Sequence, residues 1–131
     1  IAGLTCSLKV FPALATFGDR VVFAGVNLTF RFINNILRGG GGSGEFQMVR
    51  RSIFDAVQGF NENLPVAEDQ DFFQRVARHG RVRMEPSLVV WHTSRRAHKL
   101  GWPRLLMQWW LNYISVTLFK KSVSKEWKVI R

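Results

Sequence analysis

Three patterns along this 131-residue chain predict an α/β fold: a mixed sheet with flanking helices, followed by a C-terminal aromatic, amphipathic helix. Residues 4–10 read as a strand closed by Phe11-Pro12, and residues 88–91 are a compact apolar strand ending at His92. Between residues 19 and 37, Val22, Phe23, Val26, Phe30, Ile33 and Leu37 recur at three- and four-residue steps, which lays a broad apolar face along a helix. Residues 68–79 open on acids, carry Phe72, Phe73, Val76 and Ala77 on one side and stop at Gly80, so both ends of a helix are marked. The length allows one hydrophobic core and no more.

The elements follow in order. Phe11-Pro12 ends the first strand, because proline cannot donate to a sheet ladder. The helix over 19–37 comes next, with Asp19 and Arg20 at its start and Arg38 at its end. Residues 39–44, four glycines, Ser43 and a fifth glycine, read as a mobile loop, natural or an engineered linker. A short strand is expected over 46–50. Ser52 and Asp55 have the spacing of a capping box that would start a short helix, with Gly59 closing it in a left-handed conformation and Phe60 packing back. After the acidic helix, 81–85 alternates as a strand, Pro86 breaks it, and 88–91 forms another. Residues 105–119 are apolar and would span roughly 22 Å as a helix, short of the roughly 30 Å core of a bilayer. Two readings of that helix stay open: packing in a core, or lying in a membrane interface with Trp109, Trp110 and Tyr113 at headgroup depth.

Charge is uneven. Residues 1–74 hold six Lys/Arg against seven Asp/Glu, whereas residues 75–131 hold thirteen against two, so the second half should attract phosphates on a nucleotide, a lipid or a nucleic acid. The single cysteine, Cys6, excludes an internal disulfide and a multi-thiolate zinc site, and favours a reducing compartment. No secretory leader is visible, and the chain does not begin with Met, as a processed or excised chain would not.

The chemistry concentrates between Phe46 and His92. GEFQMVRRSIF from Gly44, QGFNE over 58–62, EDQDFFQR over 68–75, Gly80, and the pair Trp91-His92 follow one another. This order resembles the C-terminal half of the catalytic domain of family 2 glycosyltransferases, in which a strand with RR, a GGF(D/N)E turn and an ED.D…R helix occur in that sequence. The resemblance covers about residues 3–92. It implies residues 1–99 as the acceptor-side part of a GT-A fold, with residues 100–131 as a basic, aromatic extension.

The resemblance further implies an inverting transfer of a sugar from a nucleotide-diphosphate sugar donor to a hydroxyl of a carbohydrate or lipid-linked acceptor. Asp69 would be the general base and Glu68 its neighbour, orienting the acceptor or Asp69 itself. A hydroxyl is a poor nucleophile at neutral pH, and a carboxylate in hydrogen-bond reach removes its proton as the new bond forms. At the first turn of a helix, unpaired N–H groups and the dipole would hold Asp69 ionised. Asp71 and Arg75, four apart, can pair. They join Arg50, Arg51, Arg95 and Arg96 as candidate acceptor or diphosphate contacts, the last two in a flexible basic loop. His92 resembles the histidine that completes a divalent-metal or diphosphate site in some members, so Mg²⁺ or Mn²⁺ is implied, with most ligands outside this chain.

Asp69-Gln70-Asp71 is not the family's metal-binding D-x-D, which follows a strand in the nucleotide-binding half. That half would precede Ala2, so the chain is expected to be incomplete and inactive alone. Gln58 departs from the usual second glycine, Asn61 from the usual Asp, and Gln108-Trp109-Trp110 lacks the arginine of the processive Q-x-x-R-W motif, which favours single-sugar transfer. The expected location is cytoplasmic, with a peripheral place on the inner face of an anionic membrane left open. A second class is therefore a non-catalytic, basic membrane-interface module. A third, a nucleic-acid-binding domain, rests on charge alone. No nucleic-acid partner is expected, because the arginines are not interleaved with an exposed aromatic platform.

Overall fold

The computed structural model describes residues 1–126, so residues 127–131, the end of the extension read over 100–131, lie outside the described residues. Strand β1 (Gly3–Val10) is central in a three-stranded sheet of order β2-β1-β3, antiparallel to β2 (Met48–Val49) and parallel to β3 (Val82–His92). Both faces of β1 are covered, which is why its sequence is nearly continuous in small and apolar residues. Between β1 and β2 run α1 (Phe17–Phe32) and a π-helical turn, Ile33–Leu37. Helices α2 (Arg51–Ala56) and α3 (Glu68–Ala77) precede β3, and α4 (Arg95–Leu100) and α5 (Trp102–Phe119) follow it.

Two apolar clusters sandwich the sheet. Phe72, Phe73 and Val76 of α3 pack with Ala2, Val57 and Val82, while Phe23 of α1 packs on Cys6, Leu8 and Val10. The latter three alternate along β1, the period-2 signature of one strand face. Cys6 is buried, and burial pushes its thiol up from the ordinary range, so it behaves as a small apolar residue.

Several local expectations change. The capping box forms at Thr16 and Asp19 rather than at Ser52 and Asp55. The Thr16 N–H donates to Asp19 Oδ2 (2.8 Å) and the Asp19 N–H to Thr16 Oγ1 (3.1 Å). Helix α2 starts one residue before Ser52 with no side-chain cap, and Asp55 is taken by Arg51 at 3.0 Å, one turn away. Pro86 does not end a strand; it sits in a bulge of the continuous β3. The register jumps from Cys6 opposite Glu85 to Ser7 opposite Val89, and Ser7 Oγ donates to the Pro86 carbonyl (3.3 Å). The turn after α2 does form as expected: Gly59 has φ +65°, and the Phe60 ring packs back edge-on to Phe54 of α2, 6.5 Å between centroids, while also meeting Phe72 of α3 at 4.4 Å. Gln58 is also left-handed (φ +59°), which accounts physically for why a glycine suits that position.

Residues 39–44 were expected to be mobile, yet they are docked. Gly40, Gly41 and Gly42 are buried. Asn34, itself fully buried, clasps Gly41 from both sides: its Nδ2 donates to the Gly41 carbonyl (2.6 Å) and its Oδ1 accepts the Gly41 N–H (2.7 Å). Gln70 of α3 donates to the Gly42 carbonyl (3.0 Å). The glycines allow the backbone to lie directly on α3, a demand of tertiary packing that composition does not distinguish from freedom to move.

Helix α5 packs one side on the rest of the protein, as the core reading expected. Leu105, Asn112 and Val116 are buried, and Asn112 accepts the N–H groups of Val123 and Ser124, folding the following segment back. Its other side exposes Met107, Trp110 and Leu111. Among the described residues, no helix is long and apolar enough to cross a membrane.

A buried carboxylate ties these parts together. Asp19, with no solvent exposure, receives Trp102 Nε1–H (2.9 Å) and lies 2.7 Å from His98 Nε2, so it joins the start of α1 to α4 and α5. Burial works against its ionisation, but the hydrogen bonds from His98, Thr16 and Trp102 outweigh it and hold its carboxyl down to about 2. Its contribution to stability is thus complete above the usual 3.8 and is lost as the pH falls toward about 2. Asp19→Asn is expected to cost about 1–3 kcal/mol in urea unfolding at pH 7 and to flatten the acid limb of the stability curve.

Candidate active site

A groove of about 1320 Å³ lies between α1, the glycine loop, the start of α3, the end of β3 and α4–α5. Its polar part is formed by Gly44, Glu45, Glu68, Asp69, His92 and Arg96, and its remainder is walled chiefly by apolar side chains of α1 and α5.

Asp69 is held at this junction by backbone. Its Oδ2 accepts the Gly44 N–H and its Oδ1 the Gln70 N–H, both at 2.8 Å, while its own carbonyl accepts Gln47 Nε2–H (3.1 Å). The residue before the helix, Ala67, is left-handed (φ +63°), a conformation unfavourable for a side-chain-bearing residue and one that concentrates at functional sites. The helix start was expected to hold Asp69 ionised; its N–H donors do favour the charge, but burial outweighs them. Burial pushes its carboxyl up to about 6, with the charges of Glu68 and Glu45 adding to the rise and the two N–H donors only partly offsetting it. A carboxylate of this kind is ionised at neutral pH and still basic enough to take a proton.

Glu45 was not among the residues singled out from sequence. His92 Nε2 lies 3.4 Å from Glu45 Oε1, and His92 Nδ1 accepts the Ser94 N–H (2.9 Å), which directs the other ring nitrogen toward the carboxylate. Burial opposes ionisation of Glu45, but the hydrogen bond from His92 prevails and holds its carboxyl below the ordinary range. Its position directly after Gly44 was the available signal, obscured by the reading of the glycine run as a free loop. Because the Glu45 charge helps raise Asp69, Glu45→Gln is expected to shift any Asp69-dependent pH limb slightly to lower pH, in a pH–rate profile of the variant.

The other candidates divide. Glu68 and Arg96 line the groove with Asp69 and His92. Arg95 is exposed on α4, which is a short helix where a flexible basic loop was expected. Asp71 and Arg75 do pair (2.7 Å), but Asp71 is only 2% exposed and Arg75 is spent on the carbonyls of Val57 (2.6 Å) and Gly59 (2.8 Å). This pair clamps the Gln58-Gly59 turn and is not presented to a ligand. Arg50 donates to the Ile1 carbonyl (2.7 Å), and Arg51 pairs with Asp55 beside a smaller pocket lined by Phe54 and Phe60. The structure therefore does not bring Arg50, Arg51, Asp71 or Arg75 to the groove that holds Asp69. Among the described residues, no group of three or more His, Cys, Asp or Glu side chains is placed to hold a metal ion. No protein-family model, curated protein or solved structure matches this chain.

Proposed function

We propose that this chain supplies the catalytic base and the acceptor side of an inverting glycosyltransferase similar to family 2. The observation that carries the reading is Asp69: a carboxylate raised to about 6, fixed by two backbone N–H groups at the mouth of a helix and facing a groove large enough for an acceptor. In this scheme the acceptor hydroxyl gives its proton to Asp69 while its oxygen bonds to the anomeric carbon of the donor sugar. The bond from that carbon to the diphosphate breaks on the opposite face, and the nucleoside diphosphate leaves with the electron pair. Glu68 raises the basicity of Asp69, and Arg96 offers positive charge on the same groove.

A divalent cation, Mg²⁺ or Mn²⁺, would neutralise charge developing on the leaving diphosphate. His92 and Glu45 are chemically suited to contribute to its site, one imidazole and one carboxylate 3.4 Å apart, with the remaining donors outside this chain. In this reading the nucleotide-binding portion is supplied from outside this chain.

The test is nucleoside diphosphate release by the protein as encoded in its full reading frame, assayed over a panel of nucleotide sugars and acceptors with and without Asp69→Asn. Turnover retained by the variant would refute the base assignment. A second reading, a module resting on an anionic membrane surface, is favoured by the exposed apolar side chains Leu28, Ile36 and Trp110 on a chain of net charge +10. Sedimentation with phosphatidylserine vesicles at low salt tests it, and absence of binding removes it.

A further inference from the structure

We infer that Asn34, on the π-helical turn that ends α1, is a positioning residue for Asp69: its clasp on Gly41 keeps the glycine loop seated over that carboxylate. The inference rests on the reading of Asp69 as the base, and it names a residue outside the groove lining on which the base depends.

Asparagines of α1 and its π-helical turn share one device. Each spends both ends of its amide on a single peptide group, exchanging an N–H and a carbonyl bond as paired residues of neighbouring antiparallel strands do. Asn27 meets Leu8 of β1 in this way (2.8 Å for both bonds), Asn35 meets Met84 of β3 (3.0 and 3.2 Å), and Asn34 meets Gly41 (2.7 and 2.6 Å). Asn27 and Asn35 hold the sheet, whereas Asn34 holds the loop. The π-helical turn sends these adjacent side chains, 34 and 35, to two separate targets, and such turns concentrate at functional sites.

Asn34 has no solvent exposure and Gly41 is buried. Without the amide, the Gly41 N–H and carbonyl would be left unpaired away from water, so the loop would have to lift to satisfy them. Three residues on, Gly44 lies against Asp69, giving its N–H to Oδ2 (2.8 Å), and Gln47 of the same segment donates to the Asp69 carbonyl (3.1 Å). Lifting at Gly41 is therefore felt at the base.

Its direction follows from the order of the effects on the carboxyl. Burial is the largest and raises it; the Gly44 N–H lowers it by less, and the charge of Glu45, which the loop also carries, raises it. A lifted loop hydrates Asp69 and withdraws Glu45, which together outweigh the lost N–H, so the carboxyl falls from about 6 toward its ordinary 3.8. The other titratable or charged groups on the groove stay in place on other elements: Glu68 on α3 itself, His92 on β3, Arg96 on α4 and Tyr113 on α5, with none from α1.

The experiment labels the full chain with ¹⁵N in glycine and ¹³C in the serine carbonyl and the aspartate carboxyl. Ser43-Gly44 is the one Ser-Gly pair in the sequence, so a single amide resonance reports Gly44; of the four aspartates, the carboxyl signal missing from Asp69→Asn reports Asp69. In Asn34→Ala the Gly44 N–H is expected to exchange roughly tenfold faster than in the unaltered protein, and the Asp69 midpoint to fall below about 6. Asn35→Ala removes the same kind of paired bonds one residue along, so its stability cost is comparable, and both readouts should stay unmoved. Should Asn34→Ala not fold, Gln70→Ala, which frees the loop at Gly42 by one hydrogen bond, is expected to move both readouts in the same direction by less.

Equal values in Asn34→Ala and Asn35→Ala, or faster exchange at Gly44 with Asp69 still titrating at about 6, would overturn the inference. Neither readout uses a donor sugar. Turnover retained by Asp69→Asn would defeat the base assignment while the two midpoints are judged by themselves, whereas unmoved midpoints with turnover lost in Asp69→Asn would defeat only the role of Asn34.

Discussion

Asp69→Asn in the complete protein is expected to reduce sugar transfer by roughly 10²–10⁴-fold, the usual contribution of a positioned general base, while leaving donor binding and the fold intact. The fold should survive for a physical reason. A carboxyl raised to about 6 is a group whose charged form the native state disfavours. Its contribution is most favourable below 3.8 and is lost as the pH rises through about 6, so at neutral pH the ionised side chain costs stability. Asparagine removes that cost but retains only one oxygen for the two N–H groups of Gly44 and Gln70. The two effects oppose each other, and the melting temperature should stay within a few degrees of the unaltered protein. Activity lost without stability lost separates a base from a helix-capping acid. In the unaltered protein the rate should fall below a pH of about 6, as Asp69 takes up its proton before the acceptor can supply one. A pH–rate profile without that limb would exclude Asp69 as the base.

Gly40→Ala is expected to be among the most damaging single-methyl additions in the chain, on the order of 3 kcal/mol or more in urea unfolding. Gly40 has φ +71°, and a Cβ there would stand 2.2 Å from the carbonyl oxygen of Phe73 and 2.7 Å from the Cβ of Ala77. Neither the buried α3 backbone nor the loop can yield easily, because Asn34 and Gln70 hold the next two glycines. Gly25, on α1, provides the contrast. A Cβ there meets nothing within 4 Å, and Gly25→Ala should stabilise the protein by about 0.5–1 kcal/mol through helix propensity. Equal effects at the two positions would show that the loop is not docked as described. Since the same loop presents the Gly44 N–H to Asp69, a Gly40 variant that still folds should also lose activity more steeply than stability alone explains.

The elements legible in the sequence were those whose information is local. The periodicity of Phe23, Val26, Phe30 and Ile33, the acids opening α3, Gly59 and Gly80 at turns, and the apolar run of β1 each record a neighbour three or four residues away, or an alternation along one strand. The position of Asp69 at a helix entrance was legible for the same reason. What escaped depended on partners distant in the chain. The Ser52 capping box lost Asp55 to Arg51, and Pro86 was absorbed in a bulge because β1 supplied a continuous parallel partner across it. The diversion of Arg75 to the carbonyls of Val57 and Gly59 could not be read from its spacing to Asp71.

By itself, then, the sequence determined an α/β chain with an acidic helix start and a basic second half, since helix and strand periodicity and net charge are properties of consecutive residues. Tertiary structure alone decided that the glycine run is a packed shelf, that Glu45 meets His92, and that Asp69 is raised to about 6 rather than lowered. The reason is desolvation: a carboxylate's basicity depends on how much water the rest of the fold removes from around it and on which charges it brings near, neither of which is written in the adjacent residues.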